Sequence, residues 1–173
     1  MGADVVAIID APKLRRHEAA GVRVVPKLHF AVIPTAHVGA WWDVAEKAIA
    51  GVHVGMRSTW DAKAMRKAIE DQRAFLCITF HVKQPVAVTV ICRDGDQFAN
   101  TFDWLVWIAW SDPANVRAGI ARDVRYFTDA SIVEAARAAG AKRLKAHSPR
   151  RAMARMTAEL GWKLISCTYS KDI

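Results

Sequence analysis

No stretch of this 173-residue chain approaches the roughly 20 apolar residues that a membrane-spanning helix needs. A short apolar run does lie near the N-terminus, MGADVVAIIDAPKLRRHEAAG, but acidic residues flank it and the basic cluster follows it, the reverse of a secretory signal. No membrane partner is expected. Cysteine is also sparse: Cys77, Cys92 and Cys167 are far apart and odd in number, without a CxxC pair, which argues against a disulfide framework and for reduced, mostly buried thiols. The six histidines show no HExxH or comparable ligand spacing, so no metal site is expected. Internal repeats and low-complexity tracts are missing too. A soluble protein kept in the cytoplasm, or packaged from it, is the simplest expectation.

Acidic residues are in deficit, 17 against 25 Lys and Arg, giving a formal net charge of +8. Such a surplus suits polyanionic partners such as a nucleotide cofactor or nucleic acid, and equally a solvated face. It is densest in the last third, at Arg137, Lys142, Arg143, Lys145, Arg150, Arg151, Arg155 and Lys163. Neither an RNA-binding signature nor helix-turn-helix spacing accompanies it. Hydrophobic residues make up 53% of the chain and seven are Trp, enough for one substantial core. We expect one domain over 22–173, preceded by an extension over 1–21.

The β-branched run VRVVPKLHFAVI predicts a first strand, with Pro26 confining it to an edge or a late start. Val38, Trp41, Trp42, Ala45, Ala48 and Ile49 fall at helical spacing, with Gly51 placed to cap. Ser58 and Asp61, three apart, form an acidic capping box for a second helix carrying Trp60, Ala64, Met65, Ala68 and Ile69. FLCITFHV, VAVTVIC and TFDWLVWIAW then read as an antiparallel meander, turning at Lys83-Gln84-Pro85 and Arg93-Asp94-Gly95-Asp96. Strand parity places Trp104 and Trp110 on one face and Trp107 on the other. After SDPAN come a long helix ending at Gly140, a strand RLKAHS, a helix closed by Gly161, and a last strand WKLISCTYS. The fold class is α/β, a mixed sheet with helices on both faces.

This order, with the placement of Gly140, Gly161 and Trp162 in AGAKRLKAHSPRRAMARMTAELGWKLISCTYS, resembles the GNAT N-acetyltransferase family from about Val24 onward. The resemblance implies acetyl-coenzyme A as cofactor and a small-molecule or protein amine as acceptor. It also implies a pyrophosphate loop at the start of the long helix, where small residues let backbone approach the phosphates. That loop is Val116, Arg117, Ala118, Gly119, Ile120 and Ala121; Gly119 and Ala121 match the small positions, while Val116 stands where the family has Gln or Arg. The spacing from Gly119 to Gly140 exceeds the family's by about one helical turn, ~3.6 residues. The resemblance further implies that Arg150 and Arg151, at the start of the next helix, lie near where the family binds the adenosine 3′-phosphate.

The family's acid, a Tyr four residues before the Gly-aromatic pair, is replaced here by Thr157, and the frequent Asn seven residues earlier by Arg150. Asp103 is the nearest analogue of the family's strand-borne carboxylate. Among Phe102, Trp104 and Trp107 its pKa would be raised toward neutrality, unless it merely faces solvent. Under the resemblance, Tyr169 on the last strand is the candidate to substitute as acid, where a strand Tyr otherwise serves packing. A second reading stays open: a non-catalytic member with protein partners, somewhat like GNAT-like virion proteins of short-tailed phages.

Overall fold

A computed structural model describes residues 26–53, 61–96, 101–146 and 158–163. The 1–21 extension, Ser58, Trp60, Arg150, Arg151, Arg155, Thr157, Cys167, Tyr169 and the last strand beyond Lys163 lie outside those residues.

Among the described residues, five strands form one mixed sheet in chain order: β1 (Leu28–Ile33), β2 (Ala74–His81), β3 (Gln84–Asp96), β4 (Thr101–Ser111) and β5 (Leu144–Ala146). The first four pair antiparallel as a meander, and β5 returns parallel to β4 after a helical crossover. Alternation sends Leu76, Ile78, Val88 and Val90 to one face and Cys77, Ile91 and Trp104 to the other. The first face is covered by α1 (Trp42–His53), entered through a 3₁₀ segment Thr35–Trp41, and by α2 (Ala62–Glu70). A single turn, α3 (Ala114–Arg117), follows β4. The second face is covered by α4 (Ala121–Ala138), through Phe127, Ile132, Ala135 and Ala136. The expected mixed sheet with helices on both faces is therefore present.

Several local expectations need correction. His81 pairs directly with Gln84, so the first hairpin turns at Val82-Lys83 while Gln84 and Pro85 already belong to β3. Val82 adopts φ 60° there, a left-handed conformation that β-branched residues disfavour, so turn chemistry gave no signal. Arg93 to Asp96 are strand rather than turn, paired with Trp104 to Thr101. Arg93 lies 4.6 Å over the Phe102 ring, and Asp94 meets a cation from β5, so cross-strand contacts extend the ladder through turn-forming residues.

Gly51 lies inside α1 and does not cap it. A Cβ there would stand 2.6 Å from Trp110 Nε1, so the glycine is needed for the close approach of the indole. For α2 the N-cap is Asp61 itself, its carboxylate accepting from Ala64 N at 2.7 Å. Finally, Val90 pairs with Ile108 and Ile91 with Val106, leaving Trp107 as a β-bulge. The extra residue flips parity: Trp107 and Trp110 both pack toward α1 and α2, while Trp104 packs toward α4.

Candidate active site

Among the described residues, the sheet opens beyond the bulge. β5 pairs with β4 from Trp104 to Val106, whereas the tail of β4 continues to Ser111 paired with β3. A cavity of about 300 Å³ lies at this opening, floored by Thr89 of β3 and by Val106 and Ala109 of β4. Ala121, Val124, Arg125, Thr128, Asp129 and Ile132 line it from α4. Their spacing of three and four residues is one helical stripe. Thr128 Oγ1 is hydrogen-bonded to Thr79 Oγ1 at 2.7 Å, which ties the stripe to β2. Leu160 and Trp162 complete the wall.

Asn115, only 4% exposed, holds the mouth together. Its Nδ2 donates to Val86 O of β3 and to Ser111 Oγ of β4 at 3.1 Å, and its backbone carbonyl accepts from Ile120 N at 3.1 Å. Asp112, just before the N-cap Pro113, accepts from Ala114 N at the start of α3 at 3.0 Å. The chain then turns at Gly119, φ 71°, and α4 begins at Ala121. Since α4 starts immediately after the loop, the extra turn before Gly140 belongs to the helix itself. Of the six loop residues, Val116 and Ala121 line the cavity; Val116 is 70% exposed at its rim. A Cβ on Gly119 would meet nothing within 4 Å, so it is the positive φ, not crowding by protein, that calls for glycine. Ile120, the N-cap, makes no side-chain cap, so Ala121 and Arg122 N–H have no acceptor within the helix.

Asp103 is elsewhere, at the other end of β4 and not among the cavity's lining. It neither faces solvent nor carries a raised pKa. Burial pushes its pKa up, but hydrogen bonds from Arg143 and Lys145 outweigh burial and hold it below the ordinary value. Arg143 reaches it with Nε at 3.1 Å and a terminal nitrogen at 2.9 Å, and Lys145 Nζ at 2.9 Å. Lys145 also reaches Asp94 at 2.9 Å, so it neutralises two carboxylates that sit opposite each other across β3 and β4. Two cations of the basic C-terminal third are thus engaged within the protein.

The carboxylate that does line the cavity is Asp129, which the sequence reading passed over. Its Oδ1 accepts from Trp162 Nε1 at 2.8 Å. Burial raises its pKa, against a smaller lowering by the indole N–H. The available signal was its place in the stripe of α4, four residues after Arg125 and three before Ile132. Cys77 and Cys92 are buried beyond use, with burial pushing their thiols to about 12 and about 11. Among the described residues no helix is long and apolar enough to cross a membrane.

No known family pattern matches the chain, and no curated protein matches it. Solved structures do. An aminoglycoside acetyltransferase from an uncultured soil metagenomic sample matches at TM-score 0.62 and 11% identity, over 85% of this chain and 99% of that one. A ribosomal-protein-alanine N-acetyltransferase from Brucella melitensis biovar Abortus matches at 0.59 and 12%, over 84% and 97%. A GNAT family acetyltransferase from Staphylococcus aureus matches at 0.55 and 9%, over 84% and 98%. At these identities the likeness is one of fold, and the fold is that of the GNAT acetyltransferases.

Proposed function

We propose that this protein is an N-acyltransferase that takes acetyl-coenzyme A at the cavity between the tail of β4 and α4, and passes the acyl group to an amine. The observation that carries the reading is the coincidence, at one opening of a GNAT-type sheet, of an apolar cavity, a glycine turn and the N-terminus of a long helix. The residues fit the ligand. The loop Val116, Arg117, Ala118, Gly119, Ile120 and Ala121 would hold the pyrophosphate, with Ala121 and Arg122 N–H and the positive end of α4 facing it. Arg125 adds a cation on the same side of the helix. Arg150 and Arg151 would meet the adenosine 3′-phosphate, and Tyr169 remains a proposed acid. The apolar walls would take the pantetheine arm. Bound there, the coenzyme supplies an activated thioester.

Asp103 is better read as the centre of a structural ion cluster than as a base. The acceptor is a small-molecule or protein amine. The non-catalytic reading, with protein or virion partners, draws on no observation of this site.

Calorimetry and thermal unfolding with acetyl-coenzyme A test the proposal. Binding to the native state at 100 times Kd adds about 2.7 kcal/mol of stability. Gly119→Val should abolish that gain, because the left-handed turn is lost. No heat and no thermal shift at millimolar ligand would refute the coenzyme reading and return the non-catalytic one.

A further inference from the structure

We propose that Asp129 is the acid–base residue of this cleft and Trp162 its positioning residue. The inference rests on the coenzyme reading, and it gives Asp129, in place of Tyr169, the role of the expected Tyr that Thr157 replaces.

The geometry assigns the role. Asp129 lies eight residues into α4 from Ala121, about 12 Å along the axis at 1.5 Å per residue. It therefore lies well inside the cavity from the proposed phosphate end. Val106, adjacent to the bulged Trp107, lines the same cavity, where the ladder to β3 is interrupted. A carboxyl group here has one oxygen fixed: Oδ1 accepts the Trp162 indole N–H at 2.8 Å. Oδ2 is the atom left for exchange. Arg125, one turn earlier on α4, is the other charged residue among the described lining; Thr89 and Val106 face the cavity from the sheet, and Trp162 lines it beside Asp129. With so little charge about it, burial dominates and raises the pKa, the direction a proton donor needs.

The step balances without any further reactant. The amine nitrogen bonds to the thioester carbonyl carbon and the C–S bond breaks, its electron pair leaving on sulfur. Asp129 Oδ2 gives its proton to that sulfur, forming the thiol. The resulting carboxylate is reprotonated by the proton the new amide nitrogen sheds, and the ammonium's own extra proton goes to water.

Two measurements on the full chain test this, neither reading turnover. In Asp129→Cys, treated with coenzyme A disulfide, a thiol beside the bound sulfur should form a mixed disulfide at least tenfold faster than with glutathione disulfide. Acetyl-coenzyme A should compete, and the wild-type protein supplies the background. Separately, acetyl-coenzyme A affinity should fall between pH 5 and pH 8 at least threefold more in wild type than in Asp129→Asn, which mimics the protonated acid. If wild type binds the coenzyme but the Asp129→Cys variant is not trapped, Asp129 is not beside the sulfur and the inference fails. Trapping with identical pH profiles would reduce Asp129 to a wall residue and overturn the acid role. Absence of coenzyme binding by wild type would instead sink the reading on which the inference rests.

Discussion

Asn115 offers a sharp test of how the cavity mouth is held. Its side-chain amide donates to Val86 O and Ser111 Oγ from a position only 4% exposed. Asn115→Ala removes both bonds, but Val86 O keeps the Asp112 N–H at 3.0 Å, so no carbonyl is orphaned. The expected cost is about 1–2 kcal/mol, that of lost hydrogen bonds plus a small void. Asn115→Asp is nearly isosteric and should cost more, about 3 kcal/mol, because an ionised carboxylate cannot donate and faces a carbonyl in a dry site. The introduced carboxyl has its folded pKa raised, so the penalty is present above that pKa and relieved as pH falls through it, when a protonated oxygen can donate again. Urea unfolding of wild type and both variants at pH 7.5 and pH 4.5 reads this directly. If Asp is no worse than Ala at pH 7.5, or shows no relative recovery at pH 4.5, Asn115 is not a donor to β3 and the account of the mouth is wrong.

Two other perturbations follow from the same structure. Val82→Gly should stabilise the protein by about 0.5–1 kcal/mol, since it relieves a left-handed β-branched residue that costs about 1–2 kcal/mol and returns part of that as backbone entropy; a destabilised variant in thermal unfolding would show that the turn carries no strain. Asp103→Asn should cost about 1–2 kcal/mol at pH 7, tempered because Lys145 keeps Asp94 and Arg143 is 64% exposed. Asp103's folded pKa is depressed, so its contribution is full above the ordinary carboxylate range and is lost as pH falls through the folded value; a wild-type-to-variant gap that stays constant in denaturation from pH 7 to pH 2.5 contradicts the ion cluster.

What the sequence made legible was local. The helical spacing of Met65, Ala68 and Ile69 and the apolar runs of β2 to β4 are written in consecutive residues, and those elements formed where expected. What it hid depended on residues far apart in the chain. The bulge at Trp107 was invisible because β4 carries apolar residues on both faces, and alternation cannot reveal an extra residue where there is no alternation to break. Asp103 was singled out for its apolar neighbours, yet its protonation is decided by Arg143 and Lys145, some 40 positions away, brought alongside by the parallel return of β5. Asp129 shows the converse. On a helix of mixed polarity it reads as one more surface carboxylate, and only the crossover that lays α4 on the sheet, with Trp162 closing from beyond β5, turns it into the cavity's acid. The chemistry of this cleft is therefore a property of the crossover connection, which decides that the face of α4 carrying Arg125, Thr128 and Asp129 is the one laid against the sheet.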